Sequence, residues 1–164
     1  MKNKTIIIAA LVCALSVIIM LAVIIAVNIN KPEKPEFVPP EFDPNAVMGV
    51  PEVPDGMGYT PLPPTAGMNA YICGNPTLND DGIDVWFTSP EINDVYMKLK
   101  IFDENDTLLG ETGLIKPGEY VKTVKLDIIP ENEMIQIKMK IIAYEPDTWY
   151  SAGSASLNTN LGIG

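Results

Sequence analysis

The pattern of apolar and polar positions divides the chain into three stretches. An apolar run carries no charge from Thr5 to Asn30, proline-rich acidic text fills 31–68, and apolar and polar residues alternate from about residue 69 onward. A run this long crosses the ~30 Å hydrocarbon core of a bilayer as a helix. It also outlasts the roughly 7 to 15 apolar residues of a cleaved signal peptide. The pattern therefore predicts a transmembrane anchor over 1–30, with residues 5–29 in the membrane. Lys2 and Lys4 favour an N-terminus on the cytoplasmic side.

Residues 31–68 hold ten of the fifteen prolines. Each proline deletes a backbone donor and pushes its predecessor toward extended geometry. The expectation is a stiff, acidic, extracytoplasmic linker. Beyond it, "IDVWFTS", "DVYMKLKIFD", "EYVKTVKLD" and "MIQIKMKIIAYE" alternate with period two, as half-buried strands do. Val95, Met97, Leu99 and Ile101 share one face, and Ile135, Ile137, Met139, Ile141 and Ala143 share another. Turn text separates the runs: "NDDG", "DENDT", "KPGE" and "EPDT". Short strands near 69–74 and 154–162 bring the expectation for 69–164 to an all-β, Ig-like antiparallel β-sandwich of about seven strands.

Charge sharpens the picture. Beyond residue 30, nine lysines stand against 21 acids, a formal charge of about −12 at ordinary pKa values. Such a polyanion repels phosphate backbones, so no nucleic-acid partner is expected. The chain has neither arginine nor histidine. It thus lacks the bidentate anion clamp and the commonest general base and metal ligand. No phosphate loop or metal-ligand spacing is present, and no enzyme activity and no cofactor are expected. Cys13 lies in the apolar run and Cys73 far beyond it, so Cys73 is expected as a free thiol.

The stretch "ETGLIKPGEYVKTVKL" (111–126) reads as a strand–turn–strand corner. Pro117-Gly118 suits a type II turn, and Tyr120, Val124 and Leu126 alternate inward behind it. Together with "VYMKLKIFDENDTLLGE" and "AYEPDTWYSAG", the "GLIKPGEYV" element resembles exported domains of Gram-positive gut Firmicutes, which carry Gly-Leu-Ile-x-Pro-Gly after a single anchor helix and a Pro-rich spacer. That resemblance covers roughly 70–160 and implies a surface or mobile-element-associated location more than an activity. "LLGETGLIKPGEY" is also similar to the Glu-Thr-x-x-Pro-x-Gly-Tyr box of adhesin B-type domains, whose Lys–Asn isopeptide bond forms beside a Glu. Here the Glu-to-Pro spacing is longer, and no lysine precedes Lys98 in the domain. The resemblance would give Glu111 and Asn158 or Asn160 those roles.

Two further surfaces offer chemistry. Trp149 and Tyr150, with Trp86, supply rings for a glycan or protein partner. The acidic turns 79–84 and 103–107 offer oxygen ligands for calcium or serve simply as solvated turns. The functional expectation is a membrane-anchored extracytoplasmic binding or structural module of a bacterial cell surface, with a protein, cell-wall or glycan partner. The alternative is an accessory subunit that contacts a membrane complex through its anchor and Pro-rich segment.

Overall fold

The computed structural model describes residues 2–29, 38–62, 68–130 and 135–163. The chain forms one helix followed by a mostly β unit, and it divides into Met1–Val38 and Pro39–Gly164. Helix α1 covers Lys2–Ile29, 28 residues, about 42 Å at 1.5 Å per residue. Its described side chains, at Lys4, Ile8 and 14–25, are all exposed. They include Leu15, Val17, Ile18, Ile19, Met20 and Leu21, which between them point to every side of the helix. Among the described residues no helix is long and apolar enough to cross a membrane. The sequence of α1 carries no charge after Lys4.

Ten strands make the β unit: β1 (Val47–Met48), β2 (Tyr59–Pro61), β3 (Tyr71–Cys73), β4 (Thr77–Asn79), β5 (Gly82–Thr88), β6 (Tyr96–Asp103), β7 (Leu108–Glu111), β8 (Glu119–Val124), β9 (Ile135–Tyr144) and β10 (Ser151–Ile163). They form one curled, mixed sheet. In its first ladder β8 lies between β1 and β5, the other edge of β5 carries β3 and β4, and β2 joins β3. The second ladder runs β7–β6–β9–β10, antiparallel throughout. β10 joins the two. It pairs with β9 from Ser151 to Leu161, and its end, Gly162 and Ile163, pairs with Thr77 and Leu78 of β4 in parallel. The expected all-antiparallel arrangement thus fails at this joint, and again at the parallel bridge between Phe42 and Leu114.

Both ladders face one core of Ile83, Val85 and Phe87 from β5, Met97, Leu99 and Ile101 from β6, Val121 and Val124 from β8, and Ile137, Met139, Ile141 and Ala143 from β9. The faces expected for β6 and β9 are the ones buried. β8 differs: Val121 and Val124 are buried, whereas Tyr120 and Leu126 are half-buried. Its inward residues are set by the partners they meet, Val121 by Phe87 and Val124 by Ile83, with a bulge in β5 between Asp84 and Phe87. Trp86 occupies that bulge at φ +49°. A bulge of this kind leaves no trace in the alternation of β8 itself.

The expected linker divides. Residues 30–37 and 63–67 lie outside the described residues, but 39–62 belong to the β unit. β1 and β2 come from this Pro-rich text. Further upstream, Asp43 N donates to Leu114 O (2.8 Å), Leu114 N to Glu41 O (2.8 Å) and Gly113 N to Asp43 Oδ2 (2.8 Å). Prolines at 44, 51, 54 and 61 fall outside the ladder interior or on its short edges, where a missing donor costs little.

Candidate functional site

The outer face of the β7–β6–β9–β10 ladder gathers most of the chemistry-bearing side chains. The same alternation that sends Met97, Leu99 and Ile101 inward sends Tyr96, Lys98, Lys100 and Phe102 outward. Register then lays Glu111, Lys100, Lys140 and Ser156 in one row across four strands. Phe102, Lys138 and Asn158 form the next row. Lys98 Nζ lies 2.5 Å from Glu111 Oε1, and Lys100 Nζ lies 3.0 Å from Oε2. The second contact is an ion pair without hydrogen-bond geometry. Burial pushes the Glu111 carboxyl up, but the Lys98 hydrogen bond and the charges of Lys98 and Lys100 outweigh it and hold the group below its usual range. Lys138 pairs with Asp106 at the tip of the β6–β7 hairpin.

An aromatic row closes one end of this region. Trp149 lies 5.8 Å from Tyr96, Tyr96 lies 5.1 Å from Phe42 edge-on, and Lys116 Nζ sits 4.6 Å above the Phe42 ring. The β9–β10 turn places Trp149: its N–H donates to Glu145 O at 2.9 Å, and Glu145 N–H donates to Tyr150 O at 2.9 Å. Closing this turn puts Trp149 at φ +60°, a left-handed conformation that a bulky side chain rarely adopts. Strain of this kind costs of order 1–3 kcal/mol and collects at functional positions. Contact with Tyr96 holds the ring against the sheet.

The sequence-expected residues are only partly brought together. Trp149 joins Tyr96 and Phe42, while Tyr150 is 74% exposed and belongs to no ring pair among the described residues. Trp86 is in the other ladder, buried against Tyr120 with Lys122 Nζ 5.3 Å over its ring. It contributes neither to the core cluster nor to the Trp149 row. Glu111 and Asn158 are not neighbours. Three strand spacings separate β7 from β10, about 14 Å, and Asn158 stands opposite Lys138. Asn160 is likewise on β10, opposite Gln136. A Lys–Asn–Glu cross-linking group is therefore not assembled around Glu111, whose lysines come from β6. Cys73 is a free, fully buried thiol. Burial, and secondarily the Asp84 charge, pushes it up to about 12.

The acidic turns are self-contained. Asn79 Oδ1 accepts from Asp81 N and Gly82 N, and Asp103 Oδ1 accepts from Asn105 N and Thr107 N. These backbone donors, Thr107 first, hold the Asp103 carboxyl below its ordinary value. Exposed Ile129 lies between the two turns and lines an open cleft with each, of about 590 Å³ on the Asp80–Asp81 side and about 310 Å³ on the Asp103–Glu104 side. Among the described residues no group of three or more metal-ligating side chains forms.

Sequence reasoning missed Phe42 and Tyr96 as partners of Trp149. Phe42 was hidden in text that reads as a spacer. Tyr96 could have been found, since it shares the outward parity of Lys98 and Lys100. No family model matches the chain, and comparison with curated proteins and with solved structures returned no match.

Proposed function

We propose that this chain is a single-pass membrane protein whose β unit lies outside the cytoplasm and acts by binding rather than by catalysis, as a module of a bacterial cell surface. The observation that carries this reading is α1. A 28-residue helix with no charge after Lys4, exposing large apolar side chains on all its sides, suits an apolar solvent better than water. Lys2 and Lys4 supply the orientation. The likeness of "GLIKPGEYV" to exported Firmicutes domains supports the same placement. Two ladders facing one core, joined through β10, support an Ig-like sandwich as the finer reading of this curled sheet.

Fractionation of expressing cells tests the anchor. The full chain should pellet with membranes and resist alkaline extraction, and deletion of residues 5–29 should release the β unit into the soluble fraction. A full chain that is soluble, or a deletion that still pellets, removes the reading. The contact surface of the module is the outer face bearing Phe42, Tyr96 and Trp149. The positive φ of Trp149 and its contact with Tyr96 favour a second, more specific reading, in which this row stacks against the ring of a glycan. A glycan-array profile unchanged by Trp149→Ala would remove it. The accessory-subunit alternative rests its contacts on the anchor and the proline-rich text. Since 39–62 belong to the β unit, the linker swap that tests this alternative leaves them in place.

A further inference from the structure

We propose that β10 pairs edge to edge, antiparallel, with β10 of a second copy of this chain. One edge of β10 is filled by β9 from Ser151 to Leu161. The other reaches β4 only through Gly162 and Ile163, with the Thr159 hydroxyl donating to Gly74 O at 2.6 Å just before them. Among the described residues, the N–H and C=O groups on that edge from Ser151 to Asn158 therefore have no strand partner.

The core is open along the same edge. Met139, Ile141 and Ala143 of β9 are 1%, 1% and 0% exposed, yet Leu157, Ala155 and Gly153, which stand opposite them on β10, are only half-buried. A strand added here would satisfy a row of backbone groups and cover apolar side chains in one step.

From Ser154 to Asn158 nothing guards the edge, and the register shift on β10 falls before it, between Ser151 and Gly153. Natural edge strands carry lysine, proline or inward-pointing charges to prevent pairing. From Thr148 to Gly164 this chain has no charged residue and no proline. In a molecule of net charge −10, two copies repel, and a contact that brings only uncharged side chains together avoids adding to that repulsion.

The sequence of β10 is also complementary to itself. A two-fold axis at Ser156 sets Ser156 against Ser156, Ser154 against Asn158, and Ala155 against Leu157. The outward positions pair hydroxyl with hydroxyl and with amide. The core-side positions pair a small side chain with a large one, so each copy shields the half-buried Leu157 of the other. The interface is isologous and closed, consuming the open edge of both copies.

Light scattering on the full chain in detergent, with the detergent mass subtracted, tests this directly. The expected result is a dimer. Its dissociation constant should rise at least about tenfold in Ser154→Lys/Ser156→Lys, which places like charges across the axis. Circular dichroism of that variant should be unchanged, because both positions are exposed. In a Cys13→Ser background, Ser156→Cys should form an intermolecular disulfide under mild oxidation, and Lys138→Cys, one strand behind the edge, should not. A monomeric wild type, a dimer indifferent to the two lysines, or cross-linking at 138 instead of 156 would each overturn the proposal. Because these readouts are made in detergent, they stand or fall separately from the cellular location.

Discussion

At the scale of single residues, the ionisable groups behave as their neighbours dictate. Glu111 is held below its ordinary value of 4.5. Its contribution to stability is present above that value and is lost as the pH falls through the lower folded value. Acid titration of unfolding should therefore show wild type losing stability as the pH falls below about 4.5, and Glu111→Gln losing less over the same range. At neutral pH the same substitution should destabilise by about 1–2 kcal/mol in urea, because Lys98, 13% exposed, loses its only carboxylate partner among the described residues. An identical acid profile for the two proteins would show that the Lys98–Glu111–Lys100 group carries none of the acid response. Cys73 gives an independent check. A buried thiol at about 12 is protonated at neutral pH. In a Cys13→Ser background it should react with a maleimide only after denaturation. Rapid labelling of the native protein would contradict the burial of Cys73 on β3. The free thiol of Cys73 was legible in the sequence, and the partners of Glu111 were not. A period-two pattern places Lys98 and Lys100 on one face, but only the β6–β7 register shows which acid they meet.

At the scale of elements, the long strands and the short β3 were readable, and β1, β2 and β4 were not. β5, β6, β8 and β9 announce themselves by alternation and turn text, while the short strand expected near 154–162 is the 13-residue β10. So do the corners: Gly118 stands at φ +82° with Glu119 N–H donating to Lys116 O at 3.1 Å, as the Pro-Gly pair requires. The β6–β7 hairpin closes at Asp106, φ +62°. What failed was the reading of 39–62 as spacer. Proline content describes what a segment cannot form, a helix or a central strand, and says little about edges. β1 and β2 are two- and three-residue edges, and Glu41 to Asp43 lie beside Gly113 and Leu114. Gly113 makes that approach feasible: a Cβ there would stand 2.5 Å from Asp43 N and 2.6 Å from its Cα. Both are backbone atoms, so Gly113→Ala should cost about 1–3 kcal/mol of stability. Loosening of 39–46 should follow, visible as faster amide exchange at Asp43 and Leu114. Unchanged stability and exchange would mean that this segment is not integral to the β unit.

At the scale of the whole molecule, an apolar helix is followed by a β unit whose outer face collects Lys98, Lys100, Lys138 and Lys140 on an otherwise acidic chain, with Phe42, Tyr96 and Trp149 at one end of it. The sequence made the helix and the strand-rich body legible because long runs leave long patterns. The curl of the sheet, the parallel joint between β10 and β4 and the open β10 edge depend on pairings between residues more than 80 positions apart, which no local pattern records. The central claim is topological, and protease accessibility tests it most directly. On intact or wall-stripped cells, external protease should digest residues 39–164 while the cytoplasmic side stays sealed, leaving a fragment that retains residues 1–29. Full protection of 39–164 until the membrane is breached would contradict the account.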